Sequence, residues 1–115
     1  MEFYRGDTHN FKFQRKSNGK VIEKLDEDVK IYFTVKNGYY DNALKIIQKT
    51  LENGITFDSE DYSYHCIINP EDTDELNYQD YYYDIEVVTS TYKQTIASGI
   101  LRFKKEITLP KDEVV

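Results

Sequence analysis

The sequence has few of the residues that catalytic and metal centres commonly use. It contains one cysteine, Cys66, two histidines, His9 and His65, and no tryptophan. A single cysteine excludes an intrachain disulfide, and a four-ligand zinc site would need thiols that are missing. The sequence shows neither a glycine-rich phosphate loop nor a Gly-x-Ser-x-Gly nucleophile motif. It therefore favours a protein that is not an enzyme and that has no catalytic residues, cofactor or metal site.

Long apolar runs and excess positive charge are also missing. No stretch approaches the roughly 20 apolar residues that cross a bilayer, and the N-terminus lacks the apolar segment of a secretory signal. The 15 basic residues are outnumbered by 21 acidic residues, which gives a net charge of −6. This balance argues against nucleic acid or an anionic membrane as a partner. We expect a chain that folds in the cytoplasm and is not secreted through a signal peptide.

What the sequence does have is a series of short β-branched and aromatic runs bounded by turn residues. The clearest is KIYFTVK at 30–36, where Ile31, Phe33 and Val35 face one way. Two further runs alternate in the same manner, at 62–69 and 81–88, and Asn18-Gly19 predicts a hairpin turn. Such spacing predicts one all-β domain over residues 1–115, a β-sandwich of seven to eight strands.

The inward positions of the two later strands follow from the same alternation. In YSYHCIIN at 62–69 and YYYDIEVV at 81–88, every second residue is predicted to point into the core. These inward residues are Tyr64, Cys66, Ile68, Tyr81, Tyr83, Ile85 and Val87.

Three other segments are less regular. ALKIIQKTL at 43–51 fits both helical spacing and strand alternation, with Asp41 as a cap in the helical case; the strands on either side favour a strand. Residues 69–76 predict a single short helical turn, because Asn69 suits an N-cap and Pro70 the first helical position. Residues 92–96 and 100–109 predict a closing hairpin that turns at 97–99.

The N-terminal segment contains Arg5-Gly6-Asp7, the tripeptide that integrin ligands use. Adhesion would need this tripeptide at an exposed loop tip, whereas here it lies just before the first long strand. Short motifs also recur by chance. We therefore interpret it structurally: Gly6 permits a bend, and Asp7 or Thr8 bonds local backbone.

The remaining candidates for metal or catalytic chemistry have simpler interpretations. Acidic clusters at 26–28, 58–61 and 71–75 lack the glycine and the EF-hand spacing of a calcium loop, so they are interpreted as solvated turns or a helix N-terminus. His65 and Cys66 are neighbours in a strand and point to opposite faces, so they cannot act as a pair. Nothing selects two of the 21 acids as a hydrolytic pair.

The eleven tyrosines are the last notable feature. Tyr39 and Tyr40 fall in a loop, and Tyr82 falls on the outer face of the strand at 81–88, so these three are predicted to be exposed. Exposed tyrosines offer rigid contact area with a polar tip, which suits both protein interfaces and sugar stacking. Tyr39, Tyr40 and Tyr82 are therefore the candidate interface residues.

The order of three short motifs carries a family resemblance: RGDT at 5–8, PEDT at 70–73 and YYYDI at 81–85. With them the chain resembles the N-terminal domain of phage baseplate upper proteins and related small phage tail proteins. The resemblance implies an immunoglobulin-like antiparallel β-sandwich and a structural adaptor role in a phage or prophage tail. It implies contacts with other virion proteins, self-association, and residence in the host cytoplasm and then in the virion tail.

Two alternatives stay open beside this resemblance. One is a monomeric β-sandwich module that binds a carbohydrate or another surface ligand through exposed tyrosines. The other is a small hydrolase with an unrecognised carboxylate pair. Longer members of the family continue into receptor-facing domains, so this chain is either a complete adaptor or one module of a larger protein.

Overall fold

The computed structural model describes residues 2–25, 27–40, 42–108 and 110–112, so Asp26, Asp41 and Leu109 lie outside the described residues. The described residues form ten strands and two short helical turns. The strands are β1 Glu2–Tyr4, β2 His9–Phe13, β3 Lys16–Ser17, β4 Lys20–Val21, β5 Lys30–Lys36, β6 Lys45–Leu51, β7 Gly54–Asp58, β8 Ser63–Ile68, β9 Asp80–Val88 and β10 Lys93–Lys104. The helical turns are α1 Pro70–Thr73 and a 3-10 turn at Pro110–Asp112.

The predictions of a nearly all-β chain and of a short helical turn near 70–76 are confirmed. The predicted count of seven to eight strands and a single helical turn is wrong, since the described residues form ten strands and a second helical turn at Pro110–Asp112. None of the helices in the described residues is long and apolar enough to cross a membrane.

Eight of the strands form one mixed sheet in the order β1-β10-β9-β5-β6-β7-β8-β2, and β3 pairs with β4 in a separate hairpin. The pairs β1–β10 and β6–β7 are parallel, and the other pairs are antiparallel. The expectation of a purely antiparallel sheet is therefore wrong at these two pairs. The sheet curls on itself: the ring of Phe11, on edge strand β2, stacks on Phe33 of β5 with 5.5 Å between ring centroids. Strands far apart in the sheet order therefore share one core.

The core lies inside this curl and follows the alternation of the sequence. The inward faces predicted for β5, β8 and β9 are confirmed, with one residue only half-buried. That residue is Tyr83, whose ring lies 5.7 Å from that of Phe33. The buried core side chains of these strands are Ile31, Phe33, Val35, Tyr64, Cys66, Ile68, Tyr81, Ile85 and Val87, and β7 and β10 add Ile55, Leu101 and Phe103.

The ambiguous segment at 43–51 is a strand, because β6 spans Lys45–Leu51 and pairs with β5. The predicted turn at Asn18-Gly19 is also confirmed: both residues have positive φ, 51° and 79°, and they join β3 to β4. This is the geometry that Asn-Gly favours in two-residue hairpins.

The prediction of a closing hairpin at 92–109 is wrong. β10 runs without a turn from Lys93 to Lys104, with a register shift between Thr95 and Ala97 that marks a bulge. Gly99, interpreted as a turn residue, pairs with Tyr83 across the strands, and a Cβ at this position would lie 2.9 Å from the tyrosine ring. The glycine therefore makes room for a cross-strand aromatic ring.

Candidate functional site

The candidate interface tyrosines lie together at one end of β5 and β9. Tyr39 and Tyr40 follow β5 in a loop that Asn37 closes. The backbone amide of Asn37 donates to the Leu44 carbonyl oxygen at 3.1 Å, and its side-chain Oδ1 accepts from the Leu44 amide at 3.0 Å. Tyr82 lies on the outer face of β9, directly opposite Lys36 of β5. The strand pairing and the closed loop thus position all three rings on the same outer surface.

The rings of Tyr39 and Tyr82 are in direct contact. Their centroids are 4.0 Å apart and their planes are inclined by 46°. Tyr39 is 74% exposed and Tyr40 is 59% exposed, as predicted. Tyr82 is half-buried rather than exposed, because the Tyr39 ring lies against it.

The three tyrosines line a cavity of about 280 Å³, which we call the tyrosine cleft. Its other lining residues are Thr34, Lys36, Gly38, Tyr83, Asp84 and Ser98. A second depression of about 430 Å³ shares Thr34 and Asp84 with the cleft. It continues along the same outer face to Tyr32, Gln48, Glu86, Val88 and Lys93. Together the two depressions form a groove across β6, β5 and β9.

Asp84 is the carboxylate at the centre of this groove. Burial raises the pKa of Asp84, and the neighbouring Glu86 carboxylate raises it further, while Lys36 and Lys93 partly oppose the shift. A carboxylate with less water around it is a stronger hydrogen-bonding partner for a bound group than one in bulk solvent. The groove can therefore combine aromatic contact with a polar anchor.

Arg5-Gly6-Asp7 forms a turn that is bonded to the α1 region. The Gly6 amide donates to Thr73 Oγ1 at 2.8 Å, and Gly6 has a φ of +81°, so the predicted bend is confirmed. The Arg5 guanidinium donates to the Glu106 carboxylate at 2.8 Å and to the Leu76 carbonyl oxygen at 3.0 Å. The Arg5 side chain thus bonds residues elsewhere in the fold.

The predicted opposite orientation of His65 and Cys66 is confirmed. Cys66 is buried in the core, and burial raises the pKa of its thiol to about 12. His65 is half-buried on the other face, beside Asp58 and Asp61 of the β7–β8 connection. Sequence reasoning missed this grouping because it treated the acids at 58–61 without the histidine on the next strand. The spacing Asp58-x-x-Asp61-x-x-x-His65 across a hairpin is the signal that could have revealed it.

A further cavity of about 760 Å³ was not predicted. It lies where β5 and the end of β6 approach β7, and it is lined by Tyr32 but not by Tyr39, Tyr40 or Tyr82. Its lining is mainly apolar and includes Leu25, Val29, Ile31, Leu51, Ile55 and Phe57.

A scan against protein-family models and a search of curated proteins return no match to this chain. Its function is therefore inferred from its own residues and from the geometry of the tyrosine cleft.

Proposed function

We propose that the protein is a non-enzymatic structural module that works through protein–protein contacts at the tyrosine cleft. The main observation behind this proposal is the contact between Tyr39 and Tyr82 on the outer face. Their ring centroids are 4.0 Å apart, and Tyr39 is 74% exposed. Paired tyrosines give rigid contact area that loses little conformational entropy on binding, and tyrosine is enriched at protein interfaces.

The setting of this module is a phage or prophage tail, in which it acts as a baseplate adaptor. Support for this setting comes from the sequence resemblance through RGDT at 5–8, PEDT at 70–73 and YYYDI at 81–85. Two of these segments are also bonded to each other, because the Gly6 amide donates to Thr73 Oγ1. The partners are other tail proteins and further copies of this chain.

The fold proposed for this module is an immunoglobulin-like sandwich, with the β7-β8-β2 end of the curled sheet as its second layer. The stacking of Phe11 on Phe33 supports this arrangement, since it joins an edge strand to a central one across the core. In such a sandwich the outer face of β5 and β9 is available for a partner.

A non-enzymatic role agrees with the state of the nucleophilic side chains. With a pKa of about 12, the Cys66 thiol stays protonated at neutral pH, and it is buried. The Ser63 hydroxyl is close to His65, at 3.1 Å from Nε2, but Ser63 is fully buried, so a substrate cannot reach it.

Self-association through the cleft is the first consequence to test, because tail structures are built on cyclic symmetry. Light scattering on a sizing column should give an oligomer mass that rises to a plateau with concentration. The double variant Tyr39→Ala/Tyr82→Ala should remain a monomer over the same range. Tyr4→Ala, at a 45% exposed tyrosine outside the cleft, is the matched control and should behave as the wild type. A wild-type chain that stays monomeric, or a double variant that still associates, would contradict the proposal.

The groove beside the tyrosines favours one alternative function, carbohydrate binding. Thr34, Gln48 and Asp84 place hydroxyl, amide and carboxylate groups next to aromatic rings, as sugar recognition requires. The 46° angle between Tyr39 and Tyr82 argues against a shared flat stacking platform. Titration with a glycan panel, followed by NMR, separates the two functions: saturable shifts at Tyr39 and Asp84 in a monomeric protein would favour the sugar site.

A further inference from the structure

Three potential metal ligands converge on the outer side of the β7–β8 hairpin, away from the tyrosine cleft. Asp58 ends β7, Asp61 lies in the connecting turn, and His65 lies on β8. One ligand atom from each lies within 4.8 Å of the other two. We propose that Asp58, Asp61 and His65 bind a divalent first-row metal ion, and that zinc fits this set of ligands.

The distances suit a small tetrahedral ion with an open position. Zinc bonds of about 2.0–2.2 Å to nitrogen and oxygen place the ligand atoms of a tetrahedral site about 3.3–3.6 Å apart. His65 Nε2 and Asp58 Oδ2 are 3.8 Å apart, so a small side-chain rotation brings them to bonding positions. Three protein ligands with water in the fourth position is an arrangement that zinc adopts in open sites. One imidazole also favours zinc over calcium or magnesium.

Local hydrogen bonds hold the two carboxylates in place. Asp58 Oδ1 accepts from the Glu60 amide at 2.9 Å, which leaves Oδ2 facing His65. Asp61 Oδ1 accepts from the Ser63 amide at 3.1 Å and from its hydroxyl at 2.6 Å. The turn that carries them also contains Tyr62, which has a φ of +59°. Ligands that are already positioned lose less entropy when they bind.

Lys12 places a positive charge beside this site. Its ammonium lies 2.6 Å from Asp61 Oδ2 and forms an ion pair with this carboxylate. The Lys12 side chain is 56% exposed and flexible enough to swing away into solvent. A metal ion replaces this ammonium on Asp61, so removing Lys12 should strengthen metal binding.

Asn10 completes the site from edge strand β2. Its Nδ2 lies 3.2 Å from His65 Nδ1. When Nε2 binds a metal, Nδ1 carries the proton and needs an acceptor. Rotating the Asn10 amide by half a turn presents Oδ1 in the place of Nδ2 and provides that acceptor. Nε2 then exchanges its contact with the Ser63 hydroxyl, at 3.1 Å, for the metal.

Calorimetric titration of the untagged protein with zinc chloride tests this site. The wild type should bind one zinc ion per chain with a saturable isotherm. His65→Ala and Asp58→Asn should each weaken binding at least about tenfold. Glu60→Gln, which removes an exposed carboxylate from the same turn, is the matched control and should bind as the wild type does.

A second variant keeps the proposal falsifiable if the ligand variants are unstable. Lys12→Met leaves all three ligands in place and should bind zinc several-fold more tightly than the wild type. Thermal melts with and without zinc should show stabilisation of the wild type and of Lys12→Met by the ion. The proposal is overturned if the wild type takes up no zinc saturably, if a folded His65→Ala binds as well as the wild type, or if Lys12→Met weakens binding.

Discussion

Asp61 shows how a single carboxylate can fix a surface turn. The Lys12 ammonium and the Ser63 hydroxyl and amide all bond it, and together they lower its pKa from the ordinary 3.8 to about 2. The alternating pattern of β8 predicted that His65 faces outward. It could not predict these bonds, because Lys12 belongs to a strand about 50 residues earlier in the chain than Asp61.

The pH dependence of stability should report the Asp61 contacts. Because the pKa of Asp61 is lower in the folded than in the unfolded chain, its charge stabilises the fold above about pH 4, and this contribution is lost as the pH falls through about 2. Asp61→Asn should therefore be less stable than the wild type at pH 7, and the difference should disappear near pH 2. Urea unfolding at both pH values measures this. A difference that persists unchanged at pH 2 would show that the charge is not responsible.

The strands themselves were largely predictable, because alternation within a strand is a local property. Asn18-Gly19 was also predictable, since its turn type depends on those two residues alone. The prediction of a closing hairpin was wrong because a glycine next to a serine is typical of a turn when only the local sequence is considered. In the structure Gly99 instead leaves room for the ring of Tyr83 on the neighbouring strand. The tyrosine cleft could likewise not be predicted from local sequence. Tyr39 and Tyr82 were each predicted to be exposed, but their contact depends on the strand register that sets Lys36 opposite Tyr82.

The parallel corner between β6 and β7 depends on two unusual backbone angles. The chain turns through Glu52 and Gly54, with φ of +68° and +100°, so that Thr50 pairs with Gly54 in parallel. Gly54→Ala should lower the free energy of unfolding by about 1–3 kcal/mol, because an alanine is strained at this φ. A Cβ there would also displace the Lys49 side chain, whose Cδ would lie only 2.5 Å away.

Glu52→Gly is the control at the same corner, because we expect it not to lower the free energy of unfolding. Glycine adopts positive φ without strain, so this variant should be as stable as the wild type or up to about 1 kcal/mol more stable. Chemical denaturation measures the free energy of unfolding of both variants. Equal destabilisation by both would mean that backbone strain at this corner does not control stability.

On the scale of the whole molecule, the curl of the sheet creates the core. Phe11 on edge strand β2 stacks on Phe33 of β5, so an edge strand helps to cover the middle of the sheet. Composition and strand spacing predicted the all-β class. They could not predict the strand order, in which the edge strands β1 and β2 come from the first 13 residues, because spacing carries no information on which strands pair.

Loss of the contact between Phe11 and Phe33 should lower the stability of the whole fold. Phe11→Ala should lower the free energy of unfolding by about 2–3 kcal/mol, less than for a fully buried phenylalanine because Phe11 is half-buried. Unfolding should remain a single transition when followed by circular dichroism and by tyrosine fluorescence. Leu44→Ala, at a 63% exposed position, is the control and should change stability by less than about 0.5 kcal/mol. Two separate transitions would contradict one shared core.

The most direct test of the proposed contact surface is site-specific photo-crosslinking. A benzophenone amino acid replaces Tyr39 in one sample and Tyr4 in another, and each purified protein is irradiated at a concentration where light scattering detects association. A contact through the tyrosine cleft predicts a covalent dimer from position 39, with the crosslinked peptide containing Tyr82 or Tyr40 of a second copy, and little product from position 4. Equal crosslinking from both positions, or none from position 39, would contradict the account.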